Sequence, residues 1–352
     1  MTPTPRFLDV LTHFEPDSHF GGVVASGTRL YRELAKLGDF SLSAVSRSVD
    51  KVRESMEGRG NCYRSLFFHG FGFSPEAFFG LWQDVRKVDV VYSNGIATFP
   101  TTLAQFYSVI QRKPFAVGTH GLTEWSYSYK ALRKAVYFNL VVFPLMRKAS
   151  FIRVTSAAES EFLARRGFRN HVLVQNGVSL EEFSDLPDKL VPNSFTFTFL
   201  GRMSREKGLD LLLPVYGRLL KEFPEMRLTL NLVGPDPCKY INTLKSAVPA
   251  DGVVKSDGLY GVDKTKLLRD SDCLILPSYS ENFGNVVAEA LACETPVITT
   301  TGTPWSEIEK VGCGLYVKPE AEALYQAMKA MYLKTPEEIG RASCRERVYH
   351  PV

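Results

Sequence analysis

One pattern runs through the sequence from end to end: a short apolar run, a turn rich in glycine or polar residues, then a longer amphipathic segment, after which the cycle restarts. Parallel strands need a crossover long enough to hold a helix, so this alternation specifies a parallel α/β protein. In the first half, residues 7–12 predict a strand, Gly21 and Gly22 its turn, and residues 26–37 a helix capped by Ser26 and closed by Gly38. Further strands are predicted at 88–92, 115–119, 151–155 and 171–174, with a long cationic, aromatic helix between Lys130 and Lys148. The second half repeats the grammar: strand 195–200, loop 201–208, helix 209–222, strand 227–233, an extended segment at 252–258, helix 264–269, strand 273–277, a turn and helix through Ala292, and strand 296–300.

At 352 residues the chain exceeds what one hydrophobic core usually organises, which favours two domains over one large barrel. The polar, proline-containing segment 181–193 places the division, giving domains at 1–185 and 186–337. The expected fold class is α/β, with two doubly wound Rossmann-like domains and a ligand held at the carboxyl ends of their strands. With 45% hydrophobic and 12% aromatic residues the chain falls outside the disordered and collagen-like classes.

The formal net charge of +4 is too small for a dedicated nucleic-acid binder, yet it conceals an asymmetry. Residues 1–175 carry 22 Lys and Arg against 14 Asp and Glu, a balance of +8, whereas residues 176–352 carry 20 against 24, a balance of −4. A basic first half suits an anionic acceptor or headgroup surface; scattered surface charge is the plainer reading. The six cysteines show no metal-ligand spacing and sit among apolar neighbours, as buried free thiols in a reducing cytosol would. No secretory signal is visible, and the most apolar stretch, residues 135–146, is too short to span a bilayer. The expected location is the cytoplasm, with peripheral membrane contact through the helix bearing Lys130, Arg133, Lys134, Tyr137, Phe138, Arg147 and Lys148 as one reading and core packing of that helix as the other. Residues 338–352 resemble a translated sequencing adapter and carry no functional argument.

The run Ser280-Glu281-Asn282-Phe283-Gly284-Asn285-Val286-Val287-Ala288-Glu289 comes just after the strand CLILPS. A strand that turns into a helix start leaves the backbone N–H groups of Phe283, Gly284, Asn285 and Val286 available to a phosphate. Glu281 before the helix and Glu289 within it can grip hydroxyl groups beside that phosphate. A capped helix with dipole-complementing carboxylates would explain Glu281 alone. The loop Gly201-Arg202-Met203-Ser204-Arg205-Glu206-Lys207-Gly208 supplies two cations for a diphosphate and lacks the spacing of a P-loop; a solvated basic loop is the alternative.

The segment from Glu281 to Glu289 resembles the E-x7-E signature of glycosyltransferase family 4, the retaining group 1 enzymes of GT-B architecture, and the likeness extends over most of the chain. The resemblance implies Glu281 at the donor sugar, Glu289 on the ribose, and Arg202 and Lys207 on the pyrophosphate. It further implies Gly22 in a loop facing the donor phosphate, and His120, in Thr119-His120-Gly121, beside the transferred sugar. Gly234 and Leu259 would lie at the nucleobase. The implied activity is metal-independent, retaining transfer of a hexose from a nucleoside diphosphate sugar to a glycan or lipid-linked acceptor, in cell-surface polysaccharide or lipopolysaccharide synthesis, with no cofactor and no nucleic-acid partner. A non-catalytic sugar-nucleotide binder or a same-fold epimerase is the alternative. Asp270-Ser271-Asp272 carries the letters of a metal-binding D-x-D motif but reads as solvated capping at a helix end, and Gly70-Phe71-Gly72 lacks the third glycine of a dinucleotide fingerprint.

Overall fold

Every strand pairing among the described residues is parallel. The computed structural model describes residues 4–14, 22–66, 70–122, 132–178, 180–183, 186, 189, 194–249 and 251–334. The chain divides into two compact units, Met1–Gly177 and Val178–Val352.

In the first unit the strands are β1 (Arg6–Leu11), β2 (Asp39–Ser46), β3 (Gly60–Arg64), β4 (Val90–Asn94), β5 (Phe115–Gly118), β6 (Phe151–Val154) and β7 (His171–Leu173). They form one sheet in the order β3-β2-β1-β4-β5-β6-β7. In the second unit β8 (Phe195–Leu200), β9 (Leu228–Val233), β10 (Val253–Ser256), β11 (Cys273–Leu276), β12 (Val297–Thr300) and β13 (Gly314–Val317) stand in the order β10-β9-β8-β11-β12-β13. The strand order reverses between β1 and β4 in one sheet and between β8 and β11 in the other. A crevice opens at such a switch point because the connections on its two sides leave in opposite directions.

Each unit buries its own core. The inner strands β5 and β11 are apolar and buried at every position, as strands covered on both faces must be. Phe183 packs into the core of the second unit with Phe197, Leu213 and Tyr216, which draws the division to Gly177, ahead of the polar segment expected to mark it.

Several expectations need correction. The first helix is Gly22–Leu37, so Gly22 opens it and Ser26 lies inside it, its hydroxyl donating to the Val23 carbonyl at 3.2 Å instead of capping. The cationic helix after Lys130 is described from Leu132 as Leu132–Tyr137, a π-helical turn Phe138–Val142, and Phe143–Met146. Pro144 lacks the N–H that would reach the Leu140 carbonyl, and the irregular turn includes that carbonyl. Phe138, Val142, Phe143 and Met146 are buried in the core of the first unit, while Leu140 is exposed. Asp272 is not a solvated cap: its carboxylate accepts from the Thr196 N–H at 2.8 Å and from Lys189 Nζ at 2.6 Å. Among the described cysteines, all free, Cys62, Cys273, Cys293 and Cys313 are buried but Cys238 is exposed. Gly21, Lys130, Cys344 and residues 338–352 lie outside the described residues.

Among the described residues no helix is long and apolar enough to cross a membrane.

Candidate active site

In the second unit the loops after β8, β9, β11 and β12 meet at the carboxyl end of the sheet. Their approach is close enough that only glycine fits at three places. A Cβ on Gly234 would lie 2.0 Å from the Gly201 carbonyl oxygen, one on Gly208 would lie 2.1 Å from that of Pro277, and one on Gly302 would lie 2.5 Å from those of Ser278 and Tyr279. Gly208 also has a left-handed backbone, φ +68°, and ends the 3₁₀ turn Arg205–Lys207 before the helix Leu209–Glu222. That turn delivers Lys207 to the neighbouring loop. Lys207 Nζ donates to Glu281 Oε2, and both side chains are only 16% exposed. Two ionised groups withdrawn this far from water stabilise each other and hold fixed charge at one point of the site.

Glu281 is held by its backbone, the Glu281 N–H donating to the Gly302 carbonyl at 2.8 Å; Ser278 Oγ donates to its carboxylate at 3.4 Å. The Tyr279 N–H donates to the Glu206 carbonyl at 2.9 Å, and the Tyr279 hydroxyl reaches Asp210 Oδ2 at 3.0 Å. Burial, with Asp210 adding to it, pushes that phenol up to about 12, so it stays protonated and donates. These bonds bind the Arg202–Lys207 loop to the Ser278–Glu281 loop.

Gly284 caps the helix Asn285–Ala292 with a left-handed backbone, φ +78°. A Cβ there would meet Glu281 Cγ at 3.1 Å and Leu276 Cδ2 at 3.3 Å. Trp305 braces the turn: its ring stands 5.0 Å from that of Phe283, and its Nε1–H donates to the Phe283 carbonyl. The first N–H groups of this helix thus emerge beside the Lys207–Glu281 pair, a suitable seat for an oxyanion.

The other expected residues are distributed differently. Glu289 lies further along the same helix, nearly buried, with Lys264 Nζ 2.9 Å from its Oε1. Arg202 is 64% exposed in its side chain and stands 3.7 Å from Glu206, apart from the Lys207–Glu281 pair. Leu259 packs partly buried on the core beside β10. Residues absent from the sequence reading are Ser278, Tyr279, Lys264 and Trp305. Trp305 lies just beyond the predicted strand 296–300, and a bulky aromatic directly after Pro304 was the available signal.

His120 and Gly22 belong to the first unit. His120 follows β5 and has a left-handed backbone, φ +49°, and its Nε2 hydrogen-bonds Asn94 Oδ1 at the end of β4. A cavity of about 240 Å³ opens at this switch point, lined by Thr12, His13, Asn94, Thr98 and His120 among others. Burial, and then the charge of Arg153, push the imidazole down to about 4, leaving it neutral near pH 7. Among the described residues no three His, Cys, Asp or Glu side chains stand together as a metal site.

The architecture is that of the GT-B glycosyltransferases. Over 98% of this chain and 94% of the other, the fold superposes on the Anabaena HepE protein solved with UDP and glucose, at 18% identity and a TM-score of 0.77. Residues 20–182 match the family described as Glycosyltransferase Family 4, and residues 194–334 match that described as Glycosyl transferases group 1. The chain belongs to glycosyltransferase family 4. It is 32% identical over 167 residues to a D-inositol 3-phosphate glycosyltransferase of Segniliparus rotundus, covering 46% of this chain and 37% of that one. A phosphatidylinositol N-acetylglucosaminyltransferase gpi3 subunit of Schizosaccharomyces pombe is 26% identical over 166 residues, 45% of this chain and 35% of that one. The matched region therefore spans about a third of the length of these curated relatives.

Proposed function

We propose that the chain transfers a hexose, with retention of configuration and without a metal ion, from a nucleoside diphosphate sugar to a hydroxyl of a phosphorylated or lipid-linked acceptor. The observation that carries the reading is the part-buried Lys207–Glu281 pair set against the Gly284 helix start, where fixed positive charge and backbone N–H groups share one point with a carboxylate able to bind hydroxyls. The glycosidic carbon–oxygen bond breaks with its electron pair passing to the departing phosphate. The acceptor oxygen forms the new bond on the same face, and its proton passes to a phosphate oxygen. Lys207 and the helix start stabilise the charge that develops on that phosphate, Arg202 swings in from its exposed position as a second cation, and Glu289 holds the ribose. Gly234 and Leu259 border the base, and His120 and Gly22 serve the sugar and acceptor side.

The complex of HepE with UDP-glucose favours a uridine nucleotide, and the names of the curated relatives favour an inositol phosphate or its lipid-linked form as acceptor over a polysaccharide. Such an acceptor is anionic and suits the basic first half. A lipid-linked one would be met at the inner face of the membrane. The test is release of nucleoside diphosphate from a panel of UDP-, GDP- and ADP-sugars, with and without inositol phosphate. Acceptor-dependent release is expected, lowered roughly 100- to 1,000-fold by Lys207→Ala and unchanged by EDTA. Release indifferent to acceptor, or abolished by EDTA, overturns the reading.

A further inference from the structure

We propose that Glu159 and Asn94 are the positioning residues of His120: Glu159 fixes its backbone, and Asn94 fixes the orientation and tautomer of its ring. The inference rests on the reading of His120 as a sugar-side contact.

Glu159 lies in the helix Ala157–Arg165 and is fully buried. One of its oxygens, Oε1, accepts from Thr119 Oγ1 at 2.7 Å, from the Gly121 N–H at 2.6 Å and from the Leu122 N–H at 2.7 Å. The other, Oε2, accepts from the Thr155 N–H at 2.7 Å and its Oγ1 at 2.9 Å. A single carboxylate thus grips the chain on both sides of His120 and ties it to the end of β6. The residue between Thr119 and Gly121 is a non-glycine with positive φ, a conformation that costs energy and is kept where its surroundings impose it.

The ring is fixed by a second device. Asn94, 1% exposed, directs its Nδ2 at Asp9 Oδ2, 3.5 Å away, so that its Oδ1 faces His120 and accepts from Nε2–H. Gly118 leaves the space the ring occupies, since a Cβ there would lie 2.5 Å from the Tyr92 hydroxyl and 3.3 Å from His120 Nε2. The charged groups around the ring are Arg153 from β6 and Glu159 from its helix; behind Asn94 stands Asp9 from β1, whose carboxyl burial keeps mostly protonated at pH 7. The neutral ring carries one proton, and Asn94 holds that proton on Nε2. Nδ1 is therefore left as an acceptor, so the group it recognises must be a hydrogen-bond donor: a sugar hydroxyl, not an ether or a fluorine in its place.

Long-range proton–nitrogen spectra of the full chain labelled with [15N]histidine, with His120 assigned from His120→Gln, test the ring. A single Nε2–H tautomer is expected at pH 7. Asn94→Ala should yield a mixture of tautomers, and Asn94→Asp, which keeps an acceptor, should restore the single one. An Nδ1–H form in the parent, or no change in Asn94→Ala, overturns the proposal. Amide exchange tests the backbone: Gly121 and Leu122 should be protected in the parent and exposed in Glu159→Gln, where an NH2 group replaces one of the two accepting oxygens. Lack of protection in the parent overturns that half, whether or not the variant folds. Both variants should lower kcat about tenfold at unchanged donor KM. If the tautomer behaves as expected but His120→Gln transfers sugar at the parent rate, the sugar-contact reading fails while the positioning stands.

Discussion

Two titratable residues of the first unit pull stability in opposite directions with pH. His120, pushed down to about 4 from an ordinary 6.5, is neutral in the fold over a range where the unfolded chain would be protonated. The stability it permits is complete above about pH 6.5 and is lost as pH falls toward 4. Asp9, fully buried on β1, has the opposite sign: burial raises its carboxyl to about 8 from 3.8, and stability present at low pH is lost as pH rises through that value. Between pH 4 and 6.5 the two slopes oppose each other, so the parent should look flatter than either residue alone would make it. Urea midpoints measured from pH 4 to 9 should rise with pH in Asp9→Asn over the acid range and fall toward alkaline pH in His120→Gln. Identical profiles in parent and variants would refute both assignments. In the second unit, Lys207→Met strands Glu281 beside buried surface and should cost about 3 kcal/mol, much of it recovered in the double variant with Glu281→Gln, as a double-mutant cycle by denaturation would measure.

Glycines at the strand-end loops set what the elements can do. Gly208→Ala and Gly234→Ala each drive a Cβ to about 2 Å from a carbonyl oxygen, whereas Gly167, also at positive φ, has nothing within 4 Å. The first two should be destabilised well beyond the roughly 1 kcal/mol expected of Gly167→Ala from backbone conformation alone, a contrast that thermal melts resolve. Trp305→Phe keeps the ring contact with Phe283 but loses the N–H that fixes the turn, and should raise donor KM severalfold with little change in kcat. Much of this was legible in the sequence where the pattern was strong. Residues 195–200 and 209–222 read as a strand and a helix and form β8 and the helix Leu209–Glu222, because an apolar run ending at glycine and a clean amphipathic repeat leave little choice. β2 and β3 escaped notice for physical reasons: Ser41, Ser43 and Ser46 dilute the first, and GNCYR, at the sheet edge, has little apolar surface to advertise itself. The Ser26 cap was misplaced because a serine ahead of an amphipathic run reads as a start, while the helix had already begun at Gly22. Glu159 was invisible as a clamp, since its partners on either side of His120 lie 37 to 40 residues away along the chain.

At the scale of the whole molecule, the reversal of strand order in each sheet gathers the chemistry at the carboxyl ends: Lys207, Glu281 and Gly284 in one unit, Asn94 and His120 in the other. The charge imbalance of the two halves adds a prediction. If the basic first half serves a phosphorylated acceptor, KM for inositol phosphate should rise steeply between 50 and 300 mM salt, roughly as the screening length shortens, while KM for an uncharged inositol acceptor stays level; equal salt dependence for both would dissociate the charge from acceptor binding. The amino ends of the strands follow a different logic. Gly58, in the turn before β3, and Gly312, in the turn before β13, border open space, with no atom close enough to resist an added side chain. These turns are natural insertion points: an epitope or fluorescent reporter spliced in at each, one per unit, would sit at the far rim from the chemistry and could follow the two units through a catalytic cycle without disturbing it.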